Sequence, residues 1–238
     1  MLPFPPLQKQ EALPVVSALT AEYISYLKTC MTRSRSTAGN SLRIIAGQWR
    51  SRRLSFPDAE GLRPTPDRIR ETLFNWLQDT IVRADCLDLF AGSGACGMEA
   101  LSRGARHVSF VDSSALVTRA IRSNLELLKA EDYQVYCESA MDWLRRMTPA
   151  DTAANGEPET SSNRRQFDVV FLDPPFASDL LVRSVVSLEQ SGLLKPGCLI
   201  YLESAQPVAA ALLPASWQQL KARKAGAVHF YLYRRGEA

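Results

Sequence analysis

Only two histidines, His107 and His229, occur in 238 residues, and neither stands beside a GxSxG turn. A Ser-His-Asp hydrolase would lack its parts. The five cysteines (Cys30, Cys86, Cys96, Cys137, Cys198) are odd in number and widely spaced, with no CxxC pair, and no HxxxH pair exists. This spacing excludes a zinc ribbon or zinc hydrolase and argues against a disulfide framework, so no metal is expected. Cys86, Cys137 and Cys198 fall in apolar runs, where a reduced thiol is a small core residue. No run reaches the roughly eighteen uncharged apolar residues of a membrane span, and residues 12–21 lack the basic flank of a signal peptide. A cytoplasmic protein without a membrane partner is expected, with one main α/β domain and at most a small appendage.

Charge is present, and it is unevenly placed. The whole chain carries +3, yet residues 31–70 hold nine arginines, no lysine and three acids, a surplus of six. The planar fork of arginine suits phosphates and stacks on bases, so this stretch is a candidate nucleic-acid surface. A solvated face would look the same, and a second observation is needed to decide.

Residues 1–41, with early prolines and no sustained period, read as a flexible leader. Leu42–Ala46 and Arg53–Phe56 flank a turn containing Gly47 and read as a hairpin with its arginines around the turn. Thr65-Pro66-Asp67 supplies an N-cap, a first-turn proline and an early carboxylate for an amphipathic helix through Ile69, Leu73, Trp76 and Leu77. Residues 42–80 thus form a basic hairpin and helix.

From residue 81 to 238, short apolar runs alternate with helical segments: CLDLF, a helix near 95–103, HVSFVD, a helix near 114–129, YQVYC, a helix near 140–147, FDVVFLD, a helix near 179–190, CLIYLES and a helix near 207–213. Two last runs, 217–224 and 227–234, read as an antiparallel hairpin closing the sheet. The pattern predicts a doubly wound α/β domain. Residues 149–166, polar and aperiodic, read as a mobile insertion.

The first strand runs into Asp88-Leu-Phe-Ala-Gly92-Ser93-Gly94-Ala-Cys-Gly97, a GxGxxG turn at a helix N-terminus. Twenty residues after Gly92, Asp112 ends the next strand, where a carboxylate can take both ribose hydroxyls of an adenosine. A nicotinamide dinucleotide fits this much. Asp88, however, would repel a pyrophosphate and attract an ammonium, and S-adenosylmethionine has the ammonium without the phosphates.

The run Val169–Leu172 stops at Asp173-Pro174-Pro175-Phe176. Strand C-termini face the ligand crevice of a doubly wound sheet, so this loop should meet the glycine turn across one pocket. Two prolines remove N–H donors and leave acceptors, the Asp173 carboxylate and the Pro174 carbonyl. Such a loop would hold an exocyclic amino group with its lone pair aimed at a sulfonium methyl, while Phe176 stacks on a base withdrawn from its helix.

These residues resemble the amino-directed methyltransferases marked by [DN]PP[FYW], and within them the bacterial 16S ribosomal RNA guanine-N2 methyltransferases of the RsmD type. RIIAGQWRSRRL, LRPTPDRIRETLFNWL, DLFAGSGACGMEALSRGA and FLDPPF stand in that family's order over residues 42–235. The resemblance implies a Rossmann-like class I fold and methyl transfer from S-adenosylmethionine to the 2-amino group of a guanine in 16S rRNA, in a small subunit or its assembly intermediate. It places the catalytic loop at Asp173, Pro174, Pro175 and Phe176. The cofactor contacts it implies are Asp88, Phe90, Ala91, Gly92, Ser93, Gly94, Asp112, Ser113 and Thr65, with Ala140 and Met141 near the adenine. Arg50, Arg52, Arg53, Arg63 and Arg68 would meet RNA. The family often has glutamate at the place of Asp112 and leucine at that of Cys96. Nothing in the sequence codes for a dimer, so a monomer is expected.

Three other readings stay open at this point. The proline loop alone does not name the base, which admits an adenine-N6 DNA methyltransferase. GxGxxG with Asp112 admits a nicotinamide-dependent oxidoreductase, and the arginines alone admit an RNA-binding assembly factor without catalysis.

Overall fold

A computed structural model describes residues 40–58, 65–148, 165–175 and 179–236. The leader to residue 39 and most of the insertion expected at 149–166 lie outside the described residues. In chain order the elements are β1 (Asn40–Arg43), β2 (Arg53–Phe56), α1 (Asp67–Trp76), β3 (Asp85–Asp88), α2 (Ala95–Ser102), β4 (His107–Asp112), α3 (Ala115–Leu128), β5 (Tyr133–Cys137), α4 (Ala140–Met147), β6 (Phe167–Leu172), α5 (Leu180–Gln190), β7 (Leu194–Ser204), β8 (Trp217–Ala225) and β9 (Val228–Arg235). No helix among the described residues is long and apolar enough to cross a membrane.

The seven-stranded sheet has the order β5-β4-β3-β6-β7-β9-β8. Strands β5, β4, β3, β6 and β7 are parallel; β9 is antiparallel to both β7 and β8. The expected doubly wound sheet and closing hairpin are therefore present. The chain order reverses between β3 and β6, so the C-terminal ends of those two neighbours flank the crevice where such sheets bind ligands.

Alternation along the strands sorts side chains to two faces. Cys86, Val169, Phe171, Leu199, Tyr201, Phe230 and Leu232 join α1, α2, α3 and the β1–β2 hairpin in one core. Leu87, Val170, Leu172, Ile200, Leu202 and Tyr231 face the opposite way, toward Trp143, Leu144, Val185 and Leu188 of α4 and α5. Helix α1 covers the first face with Ile69, Leu73 and Phe74; Phe74 lies 5.9 Å from Phe171 and Trp76 stacks on Phe230 at 5.5 Å, centroid to centroid.

The basic hairpin is held by one buried carboxylate. Glu99 of α2, wholly buried, accepts from the backbone N–H groups of Ile45 and Ala46 at 2.8 and 3.0 Å. It also accepts from Arg103 at 2.7 Å and pairs with buried Arg70 at 3.5 Å. Arg70 in turn donates to the Arg43 carbonyl and to Asp67. Removing one member of such a buried cluster strands the others, at a cost of about 3–5 kcal/mol.

Several expectations change. The first strand is Asn40–Arg43 and not Leu42–Ala46, because Ile45 and Ala46 spend their N–H groups on Glu99. The segment near 207–213 is not a helix: between Pro207 and Pro214 only a single 3-10 turn forms, Ala210–Leu212, with no buried residue to anchor it. Helix α1 starts at Asp67 with Pro66 at the cap position and no side-chain cap. The Thr65 hydroxyl is used elsewhere, as shown below. Cys137 is exposed, since it ends the edge strand β5, whereas Cys86, Cys96 and Cys198 are buried.

Candidate active site

The glycine turn joins β3 to α2. Gly92 and Gly94 adopt left-handed φ angles of 51° and 73°, which reverse the chain tightly without the Cβ clash another residue would meet. Gly97 has a different duty. A Cβ there would come within 2.1 Å of the Phe110 ring, so glycine lets α2 press directly onto β4.

Two aspartates brace the turn. The Gly97 N–H donates to Asp88 Oδ2 at 3.0 Å. The Gly92 and Ser114 N–H groups donate to the two oxygens of Asp112 at 2.9 and 2.8 Å. Asp88 is only 4% exposed, and no cation pairs with it among the described residues. Burial pushes its carboxyl up to about 7; the Gly97 N–H pulls the other way and the Asp112 charge adds to the rise.

Across the switch point lies the proline loop. Asp88 is in register with Phe171 on β6, and Phe171 with Tyr201 on β7. By alternation Asp173 and Glu203 fall on the same face as Asp88, two residues beyond these partners. Leu172 pairs with Leu202, which sets Asp173 beside Glu203. Three carboxylates thus converge where β3, β6 and β7 end. Burial, with the charges of Glu203 and Asp88, drives the Asp173 carboxyl well above the usual carboxylate range. Burial raises Glu203 as well, against hydrogen bonds from Tyr201 and Thr65.

Glu203 was not a candidate from the sequence. It is 3% exposed, accepts from the Tyr201 hydroxyl at 2.6 Å and takes the Thr65 hydroxyl. In this way it ties the residues just before α1 to the end of β7. Thr65 was expected at the cofactor, and here its hydroxyl serves that tie. The period-two pattern of CLIYLES, in which Tyr201 and Glu203 share a face with Asp173, was the available signal.

The remaining expected cofactor residues gather at the same end of the sheet. Ser93 and Ala91 are buried in the turn, Phe90 is half-buried, and Ser113 is exposed after β4. Ala140 opens α4 after β5, capped by Ser139, whose hydroxyl accepts from the Asp142 N–H. Ala140 packs with Phe90 in the second core, and Met141 receives the Ser184 hydroxyl on its sulfur at 3.7 Å. Phe176 and Arg63 lie outside the described residues. Pro174 is buried and Pro175 exposed. No group of three or more metal-ligating side chains occurs among the described residues.

The arginines divide. Arg50, Arg52, Arg53 and Arg68 are exposed, and none pairs with an acid among the described residues. Arg70, one of the nine counted in the basic stretch, is buried and paired. The loop bearing Arg50 to Arg53 is fastened by Gln48 and Trp49 to Ser102 at the end of α2, about 10 Å along the helix from the glycine turn.

A doubly wound sheet with an acceptor-rich proline loop facing a glycine turn can be set beside known proteins. The family model described as conserved hypothetical protein 95 matches residues 42–234. Ribosomal RNA small subunit methyltransferase D of Escherichia coli K12 is 42% identical over 205 residues, covering 86% of this chain and 96% of the relative. The Haemophilus influenzae protein of the same name is 41% identical, covering 82% and 95%. The chain belongs to this family. A solved Escherichia coli structure described as a methyltransferase, yhhF, superimposes with a TM-score of 0.69 at 40% identity, covering 84% of this chain and all of that one. The family model thus runs from the β1–β2 hairpin through α1 and the sheet to β9. More distant structures share the fold alone: a SAM-dependent methyltransferase of Streptococcus mutans (TM-score 0.59, 13% identity, covering 93% and 66%) and SMU.776, described as complexed with SAH (TM-score 0.59, 11% identity, covering 92% and 66%).

Proposed function

We propose that this chain transfers a methyl group from S-adenosylmethionine to the exocyclic N2 of a guanine in 16S rRNA of the small ribosomal subunit. The observation that carries this reading is Asp173 at the end of β6, across the switch point from the glycine turn. The names of the relatives favour ribosomal RNA, and the resemblance of the arginine-rich segments favours guanine-N2. Residues 42–80 would engage RNA and residues 81–238 carry out the transfer.

The donor set suits the cofactor. One oxygen of Asp88 holds the Gly97 N–H, and the other has no hydrogen-bond partner among the described residues, so an ammonium would complete the site where a pyrophosphate would be repelled. Asp112, at the end of β4, would take the ribose hydroxyls on the lone pairs left beside the two N–H groups it holds, and Ala140 and Met141 would border the base. Bound there, S-adenosylmethionine supplies an electrophilic methyl on a sulfonium sulfur.

The chain supplies the rest. The Asp173 carboxylate and Pro174 carbonyl accept the two hydrogens of the guanine amino group, which holds the nitrogen pyramidal and turns its lone pair toward the glycine turn. As the N–C bond forms, the nitrogen must shed a proton. Asp173 is placed to take it, and burial beside Glu203 and Asp88 makes it a stronger base than an exposed aspartate. Phe176 would stack on the base.

The test is transfer of radiolabelled methyl into small subunits lacking this modification, followed by nucleoside analysis. Label in N2-methylguanosine is expected. Label in N6-methyladenosine would keep the pocket and overturn the base, and a chain that binds a nicotinamide dinucleotide while ignoring S-adenosylmethionine would overturn the reaction.

A further inference from the structure

The C-terminal hairpin carries a second basic surface, separate from residues 31–70. Residues 217–235 contain Lys221, Arg223, Lys224, Arg234 and Arg235 and not one acid. Of these, Arg235 is neutralised by Glu189 at 3.1 Å. Lys221, Arg223 and Lys224 are exposed on β8 and form no ion pair among the described residues.

Register fixes where these charges stand relative to the pocket. Glu203 on β7 pairs with Phe230 on β9, and Phe230 with Arg223 on β8. Directly opposed residues share a face, so Arg223 lies on the same sheet face as Asp88, Asp173 and Glu203, two strand spacings or about 10 Å beyond Glu203. Lys221 pairs with Leu232 and repeats that face about 7 Å along the strand. Lys224, opposite His229, is the next residue toward the tip. A base held at Asp173 leaves its sugar and its neighbours at the rim of the pocket, within reach of these side chains.

We propose that β8 is a phosphate-binding edge for the nucleotides that flank the target base, with Lys221 and Arg223 as its two anchors. The inference rests on the RNA methyltransferase reading and adds the surface that holds the strand. Charge complementarity selects the occupant: three unpaired cations and no acid on an exposed strand beside a pocket that accepts a base. Exposed lysine on an edge strand also serves to discourage strand pairing between molecules, and this bland role can be separated because charge of either sign performs it.

The experiment compares Lys221→Glu/Arg223→Glu with Lys221→Gln/Arg223→Gln and, as a control, Arg234→Glu. Arg234 sits on the same face of the same hairpin but pairs with Leu199, about 13 Å farther from the pocket row. Readouts are binding of a labelled 16S rRNA fragment as a function of salt, the KM for unmodified small subunits, the Kd for S-adenosylmethionine and the sedimentation coefficient. The Glu pair should raise Kd and KM for RNA by about tenfold or more, and the Gln pair should flatten the log–log salt slope by about 1.4, the value for two single-strand phosphate contacts. The control should stay within about twofold, and cofactor Kd should not move. RNA Kd and salt slope unchanged in both double variants would overturn the proposal, with self-association of the Gln pair alone pointing to edge protection. If the parent binds RNA but labels a base other than guanine, the function above fails while the binding ratios still judge β8. If the parent binds an acidic protein and no RNA, both fail.

Discussion

Asp85 and Asp88 open and close the same four-residue strand, both nearly buried, and their surroundings are opposite. Asp85 accepts from Arg106 and Arg165, and Lys195 lies 3.5 Å away; Asp168 joins the group through Lys195 at 2.8 Å and the Asp85 N–H. Burial alone would raise the Asp85 pKa, but the hydrogen bonds and charges of Arg106 and Arg165 bring it below its usual 3.8. Asp88, about 10 Å away along the strand, shares its end of the sheet with Asp173 and Glu203. Their carboxylates have no cation close enough to pair among the described residues, and all three pKa values rise. Desolvated negative charge without a partner is costly, and it persists at the end of the sheet where a cationic ligand and an amino group would relieve it. The paired end stabilises the fold; the unpaired end, with its raised pKa values, is where the methyl transfer is proposed.

The largest loss of turnover is expected at Asp173. Asp173→Ala removes an acceptor for the amino group and the proton acceptor together, and kcat should fall about 10³-fold while the far-ultraviolet circular dichroism and cofactor Kd are kept. An Asp173→Ala chain with full activity would remove the proline loop from the mechanism. At Asp88 the sign of the pH effect is fixed by its raised pKa. The cofactor ammonium binds the ionised form, so Kd should fall as pH rises through about 7, by about tenfold between pH 6 and 8, with proton release on binding. Asp88→Asn should weaken binding and abolish this dependence, as titration calorimetry at several pH values would show.

The unpaired end of the sheet was largely legible before the structure, because its parts are local motifs. GxGxxG, Asp112 at the end of β4 and DPPF each lie within a few residues of a strand end, and the α/β alternation is enough to bring strand ends together. What could not be read was set by pairing across the chain. Glu203 becomes a neighbour of Asp173 only through the β6–β7 register, and Thr65 looks like a cap until Glu203 is there to accept its hydroxyl. Charge counting is blind to pairing in the same way. The run of nine arginines includes Arg70, which the fold buries against Glu99, and it sends Arg50, Arg52 and Arg53 to the far end of α2. The shorter run Lys221-Ala-Arg223-Lys224 lies beside the pocket because β9 inserts between β7 and β8.

A smaller effect is expected at Glu203, and it sharpens how the three carboxylates divide their work. Glu203→Gln keeps an oxygen for the Tyr201 and Thr65 hydroxyls but removes a negative neighbour of Asp173. The groups around this pair are Asp88 on β3, Tyr201 on β7, Thr65 before α1 and Cys96 on α2. Two buried carboxyls side by side, as Asp173 and Glu203 are in the parent, should lose their protons in two steps. The variant should show one step, with the acidic limb of kcat moved to lower pH because Asp173 ionises more readily. A fall in kcat of about tenfold or less at pH 7 is expected, with KM for the cofactor little changed. If kcat and its pH profile are both unmoved, Glu203 does no more than hold Thr65.

The last prediction concerns turnover least and stability most. Asp85→Asn leaves the glycine turn and the proline loop intact, so kcat should stay within about twofold. It strands Arg106 and Arg165, while Lys195 keeps Asp168 at 2.8 Å, and since the two arginine side chains are partly exposed, at 56% and 44%, water recovers much of the loss; about 1–3 kcal/mol is expected. The pKa shift behind its pH dependence is opposite to that of Asp88, lowered and not raised. A carboxyl whose folded pKa lies below 3.8 adds stability that is fully present above the unfolded value and is lost as pH falls through the folded one. The difference in unfolding free energy between parent and variant should therefore be constant from about pH 8 to 5 and shrink below about pH 4, measured by urea denaturation. A difference that grew on acidification would mean that the cations at this end do not hold Asp85 ionised, and the contrast between the two ends of β3 would lose its physical basis.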